Sequence, residues 1–262
     1  MIVIGELING MYKDVAKAIA SRETDVIQHL AEEQVRSGAN ALDVNTGPYS
    51  KDPVDDIKWL VESIQKSVNV PLSLDSTRSD VIEAGLKLAK SRAIINSTSA
   101  DDDKLAEIFG LAKRYDAQVI ALAMDRTGVP NSKEKRLELA AVIVAKAVDA
   151  GLKTEDLYLD PVLLPVNVAQ AQAHEVLEAI RDFRLISNPA PHVLLGLSNI
   201  SQGAKQRGII NRTFLAMAIA NGVTAAILDP LNKELMDAMI TAELILNKNI
   251  YCDSFLEAYR KK

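Results

Sequence analysis

The chain has 262 residues, 48% of them hydrophobic, which is enough apolar material for a sizeable core and argues against disorder. Its 30 Lys and Arg against 35 Asp and Glu leave a net charge of -5, so no basic face offers itself to nucleic acid or to an anionic membrane. The single cysteine, Cys252, excludes an internal disulfide and a Cys-rich zinc or cluster site; the opening MIVIGELING lacks the features of a secretory signal, no apolar run reaches the ~20 residues of a membrane helix, and a soluble cytoplasmic protein is expected.

Short β-rich or apolar runs alternate with longer helical patterns along the chain, which is the signature of βα units. The first strand is predicted at 2–5, and a helix then opens at Thr24 and Asp25, runs through Gln28, Leu30, Gln34 and Val35, and stops at Gly38. The second strand is predicted at 41–45. Asp52 and Pro53 read as N-cap and first residue of the helix that follows, with its apolar run over 57–68. Strands three to six fall at 71–75, 93–97, 118–124 and 157–160, and the seventh at 193–197. A helix over 211–220 stops at Asn221-Gly222, a left-handed terminator. The eighth strand, 224–228, runs into Asp229-Pro230, which repeats the Asp-Pro helix-opening device. Eight βα units in a chain of this length have the rhythm of an α/β TIM (β/α)8 barrel, whereas a doubly wound sheet stops at about five or six strands. No long Gly, Ser or Pro linker interrupts them, so residues 1–262 are read as one domain.

Residues two apart in a strand face the same way. Ala41, Asp43 and Asn45 therefore share one face and Leu42 and Val44 the other; Ser73 and Asp75 oppose Leu72 and Leu74; Tyr158 and Asp160 oppose Leu157 and Leu159. Leucines turn outward to the helices and polar groups inward. The polar residues sit at the C-terminal strand ends, where barrels of this kind build their sites, and Glu6, Asn9, Asn96, Asp125, Ser198, Asn199 and Gln202 are expected at the same mouth. Local readings compete: Asp75 before Ser76-Thr77 also suits a helix N-cap, Asp160-Pro161 a turn, Asn96-Ser97-Thr98 a loop and Asn199 a turn-closing amide. Asp229 is read as a helix cap and left out of the site.

Absences narrow the chemistry. No lysine stands in a strand or at its C-terminal end to form a Schiff base, and His29, His174 and His192 fall in helices or at the start of a strand, which disfavours a histidine-held metal or a Ser-His-Asp triad. No GxGxxG or GxxxxGK loop is present for a phosphate. Carboxylates and amides with a few arginines suit a flat heterocycle rich in N–H donors and carbonyl acceptors.

The stretches IGELINGM, ALDVNTGP, LSLDSTR, AIINSTSA, DLYLDPVLLP, VLLGLSNISQ and INRTFLAMA, in this order, with a C-terminal YCDSF, resemble the pterin-binding methyltransferases. That family includes the 5-methyltetrahydrofolate:corrinoid/iron–sulfur protein methyltransferases of the acetyl-CoA (Wood–Ljungdahl) pathway, and the likeness covers almost the whole chain. It implies transfer of the N5-methyl group of 5-methyltetrahydrofolate to a Co(I) corrinoid. Asp75, Asn96 and Asp160 would hold the pyrimidine edge of the pterin, Asn199 would reach N5, and Gln202 and Arg207 would lie near the pterin and the p-aminobenzoate end. Asp43, Asn45 and Ser198 would complete the pocket. The corrinoid is expected on a separate corrinoid/iron–sulfur protein docked over the mouth, against loops 9–12, 47–51 and 201–207, because the chain offers no Asp-x-His-x-x-Gly motif, no cluster ligands and no spare domain. The family further suggests a homodimer. Three rivals remain: a methyltransferase of another corrinoid system, a dihydropteroate synthase, disfavoured because no strand-end lysine or late Arg-x-His pattern is present, and a pterin-binding subunit without turnover.

Overall fold

A computed structural model describes residues 1–260. Eight parallel strands close in sequence order into a barrel: β1 (Ile2–Asn9), β2 (Ala41–Asn45), β3 (Leu72–Asp75), β4 (Ile94–Thr98), β5 (Gln118–Leu122), β6 (Leu157–Asp160), β7 (His192–Gly196) and β8 (Ala225–Leu228), with β1 hydrogen-bonded to both β2 and β8. The surrounding helices are α1 (Lys13–Ser21), α2 (Thr24–Arg36), α3 (Pro53–Ile64), α4 (Ser79–Leu86), α5 (Asp102–Tyr115), α6 (Lys133–Asp149), α7 (Gln170–Phe183), α8 (Arg207–Ala220), α9 (Lys233–Ile245) and α10 (Phe255–Arg260). This is the TIM barrel that the strand count predicts.

Alternation along the strands divides the core in two. Leu42, Val44, Leu72, Leu74, Leu157 and Leu159 are buried against the helices, where each such side chain contributes about 1.5–3 kcal/mol. Inside the barrel, Ile4, Ala41, Ile94, Ile120, Tyr158, Leu194 and Ala225 form a separate apolar plug. The plug closes the barrel below the strand ends, so the polar residues above it meet in a mouth with a floor.

Some boundaries differ from the sequence reading for local reasons. β1 continues to Asn9 through a register shift between Gly5 and Ile8, and the buried Gln34 of α2 fills the gap by accepting the Leu7 N–H at 3.1 Å. Asp52 does cap α3, accepting the Asp55 N–H at 3.1 Å, but the helix stops at Ile64 and the apolar residues to Val68 finish in turns. β5 ends at Leu122 because the Met124 N–H folds back onto its carbonyl at 2.7 Å. α8 begins at Arg207, a turn earlier than expected. Asp229 is not a helix cap: it accepts the Leu231 N–H in a short turn, and Asn232 caps α9 through the Leu235 N–H at 3.1 Å. No helix among the described residues is long and apolar enough to cross a membrane.

Candidate functional site

β2, β3 and β4 bring four predicted site residues into two hydrogen-bonded clusters, one on Asp43 and one on Asp75. Asp43, 4% exposed, accepts at a single oxygen from Ser73 Oγ at 2.7 Å and from Asn96 Nδ2 at 2.9 Å. Asn45 Nδ2 donates to Asp75 Oδ2 at 2.7 Å, and its Oδ1 accepts the Gly47 N–H at 2.6 Å. That last bond depends on glycine. Gly47 has φ +78°, and a Cβ there would stand 2.4 Å from the Gly10 carbonyl carbon, so the loops after β1 and β2 pack backbone to backbone. Asp75 does not cap α4, and Asn96 belongs to β4 rather than to a loop. Both stand at or near the C-terminal ends of their strands.

Two carboxyls this close and this buried resist ionising together. Burial first, and the Asp75 charge second, push Asp43 up to about 8 against the hydrogen bonds from Asn96 and Ser73. Burial also raises Asp75, opposed by Asn45. Near neutral pH Asp43 therefore keeps its proton.

Asp160, 7% exposed, closes β6 and stands across the barrel from β2. Its Oδ1 accepts the Val162 N–H at 2.8 Å, so the turn reading of this residue holds while its carboxyl stays at the end of the strand. Burial pushes it up to about 6, against the Val162 and Gly196 N–H groups and the Arg136 charge.

The opposite rim belongs to β7, β8 and β1. Ser198, in the 3-10 turn Leu197–Ser201, donates through Oγ to Glu6 Oε1 at 2.8 Å. Arg207, at the start of α8, donates from Nε to Ser201 Oγ at 3.1 Å and from Nη2 to the Ser198 carbonyl at 3.3 Å. The exposed Asn199 lies beside the Gly196 backbone, where a Cβ would come 3.1 Å from its Nδ2. Gln202 is exposed, and its N–H closes the turn on the Asn199 carbonyl at 3.2 Å. Glu6 is raised by burial, eased by Ser198, raised again by Asp229 and lowered by Arg207. Asp229, left aside in the sequence reading, is thus part of the electrostatics of this rim; Tyr12 is raised by burial first and then by Glu6 and Asp229, against Arg207.

Asp125 does not join the mouth. It accepts the Thr127 N–H at 2.8 Å and the Thr127 hydroxyl at 2.5 Å, which closes a tight turn after β5. In the loops expected at the rim, Met11, Tyr12 and Tyr49 are exposed. A cavity of about 580 Å³ opens at the other end of the barrel, beside Gln118, Tyr158 and His192, where strands begin rather than end.

A family model described as pterin binding enzyme matches residues 12–229. The chain belongs to the pterin binding enzyme family. The matched span holds Asp43, Asp75, Asn96, Asp160, Asn199 and Asp229 and leaves out Glu6. Among individual relatives, a methylcorrinoid:tetrahydrofolate methyltransferase of Eubacterium limosum is 28% identical over 263 residues, which cover 100% of this chain and 97% of that protein. A methionine synthase of Mycobacterium tuberculosis is 29% identical over 240 residues, which cover 87% of this chain but only 20% of that protein. A dihydropteroate synthase of Yersinia pestis superposes with a TM-score of 0.71 at 17% identity, covering 94% of this chain and 93% of that one, and this likeness shows the shared barrel alone.

Proposed function

We propose that this chain is a methyltransferase that moves the N5-methyl group of 5-methyltetrahydrofolate to the Co(I) centre of a corrinoid held by a separate corrinoid/iron–sulfur protein of the acetyl-CoA pathway. The observation that carries the reading is the likeness, over essentially both full lengths, to a methylcorrinoid:tetrahydrofolate methyltransferase. In this reading residues 1–262 act as one cytoplasmic pterin-binding domain, paired as a homodimer, with the carrier docked over the mouth.

The mouth suits a pterin. Asp75 and Asp160, when ionised, accept N–H bonds from the pyrimidine edge, and Asn96, whose Nδ2 is committed to Asp43, keeps its carbonyl oxygen for a further N–H. Asp43 and Asn45 hold these groups in place rather than spending their bonds on the ligand. Asn199 reaches N5. Loss of a methyl from a tertiary amine leaves developing negative charge on nitrogen, so N5 needs a proton or a strengthening hydrogen bond as the C–N bond breaks. A neutral amide is not an acid near pH 7; Asn199 orients that bond while the proton arrives from water or a neighbouring carboxyl. Arg207 holds the Ser198–Ser201 turn that carries Asn199, and with Gln202 it lies toward the p-aminobenzoate end.

The test mixes the protein with 5-methyltetrahydrofolate and the Co(I) carrier and follows the cobalt absorbance. Methylation of cobalt is expected; folate binding without any demethylation would leave a binding subunit instead. A second reading, favoured by the likeness to the methylcorrinoid:tetrahydrofolate methyltransferase, runs the reaction from methylcorrinoid to tetrahydrofolate in another corrinoid system. The same assay started from methylated carriers of each type decides between them.

A further inference from the structure

Arg136 of α6 has none of its surface exposed and is the largest fully buried side chain described. A buried guanidinium ordinarily sits on a carboxylate. Here its hydrogen-bond partners are all neutral: the Pro161 carbonyl at 2.8 Å from Nε, Gln172 Oε1 at 2.9 Å from Nη2 and the Ser132 carbonyl at 3.4 Å from Nη1. Gln172 is itself anchored through Nε2 to the Asn131 carbonyl at 2.9 Å. The cation thus lies in the first turn of α6 and against the first turn of α7, the wrong ends of two helix dipoles for a positive charge. Two helix starts do not call for it; the loop after β6 does. In that loop Val162 holds φ 65°, a left-handed conformation that costs a β-branched residue about 1–2 kcal/mol. The peptide group leading into it is pinned at both its polar ends, by Arg136 on the Pro161 carbonyl and by Asp160 Oδ1 on the Val162 N–H.

We propose that Arg136 is a positioning residue for Asp160: by clamping the Pro161 carbonyl it keeps the Asp160–Pro161–Val162 turn closed and fixes how Asp160 presents its carboxylate to the barrel mouth. Electrostatics act in the same sense, because the Arg136 charge opposes the burial that raises Asp160. The other charged group that Arg136 feels is Glu175 of α7, whose Oε2 accepts the Lys133 N–H at 2.8 Å. The inference rests on the proposed pterin-holding role of Asp160 only for its effect on ligand affinity.

The test compares Arg136→Met and Arg136→Lys with the parent protein. It reads hydrogen exchange at the Val162 amide, the titration of Asp160 by carbon NMR of aspartate-labelled protein assigned with Asp160→Asn, and affinity for 5-methyltetrahydrofolate between pH 5.5 and 8. Arg136→Met should speed Val162 exchange by about tenfold, move the Asp160 midpoint upward and weaken folate binding by about tenfold at neutral pH. Arg136→Lys keeps the charge without the fork, so it should free the Val162 amide while leaving the Asp160 midpoint near that of the parent. If Arg136→Met does not fold, Gln172→Leu, which frees one arm of the guanidinium, should show the same changes at smaller size. Unchanged Val162 exchange and Asp160 titration in a folded variant would reduce Arg136 to a staple between helices and overturn the proposal. Failure of the parent protein to bind folate would overturn the proposed function instead, with the Val162 and Asp160 readings still deciding the role of Arg136.

Discussion

Asn45 holds Asp75 with one end of its amide, at 2.7 Å, while the other end is held by the Gly47 N–H at 2.6 Å. The amide is therefore oriented by the backbone before it orients the carboxylate, and its two heteroatoms cannot exchange places without breaking both bonds. Asn45→Ala should leave the fold intact and weaken 5-methyltetrahydrofolate binding by about three- to tenfold, the size of one ordinary hydrogen bond lost. Isothermal titration checks it; unchanged affinity would mean that Asp75 needs no such support.

Binding and transfer should separate. Asp75→Asn and Asp160→Asn remove contacts made equally in ground and transition states, so they should chiefly raise the dissociation constant. Asn199→Ala should lower single-turnover methyl transfer by more than it lowers affinity, on the order of tenfold beyond it, because its hydrogen bond strengthens as N5 loses the methyl. Equal losses in both constants would show that the bond is no stronger in the transition state.

Stability should carry the mark of Asp43. Its acid is raised in the folded protein to about 8 from the 3.8 of an unburied aspartate, so folding favours the protonated form. That stabilisation is complete below the lower value and is lost as pH climbs through the higher one. Asp43→Asn removes the titration while keeping an acceptor for Ser73 and Asn96. Relative to the parent, its melting temperature should rise by several degrees between pH 5 and pH 8.5, at about 2–4 °C per kcal/mol for a chain of this size. Parallel melting curves across that range would show that Asp43 does not titrate there.

Two pH effects oppose each other in catalysis. Protonation of Asp160 as pH falls through about 6 removes an acceptor and should weaken folate binding. With folate saturating, however, transfer from 5-methyltetrahydrofolate should speed up as pH falls, because N5 must gain a proton. Single-turnover rates at saturating folate, shown to be limited by chemistry, separate the two; a flat rate between pH 5 and pH 8 would take the proton out of the mechanism.

A carrier docked on the rim should outperform its free cofactor. In-line attack needs cobalt and methyl carbon within about 3–3.5 Å, and a docked protein supplies that placement through loops such as those carrying Met11, Tyr12 and Tyr49. Free Co(I) cobalamin at equal concentration should react at least about tenfold more slowly than the corrinoid protein. Equal rates would remove the docked partner from the reading.

Period-two alternation, visible in ALDVN, LSLD and LYLD, told which side of the barrel Asp43, Asp75 and Asp160 would face, and closure of the eight strands only had to honour it. Asp52 before Pro53 was legible for the same reason: a cap is settled within one turn of chain. Asp229 shows where local signals fail, because the same Asp-Pro pair there opens a turn and Asn232 takes the cap. Asp125 fails similarly, its carboxylate captured by Thr127 two residues away. The remaining relationships join residues that no local pattern links. Ser198 meets Glu6 across 192 positions of sequence, and Arg136, which in a helix reads as a solvated charge, is buried by a loop arriving 25 residues later. Strand pattern and caps are decided by neighbours a few residues apart, whereas the pairing, burial and protonation of these side chains exist only once the barrel has closed and removed the water between them.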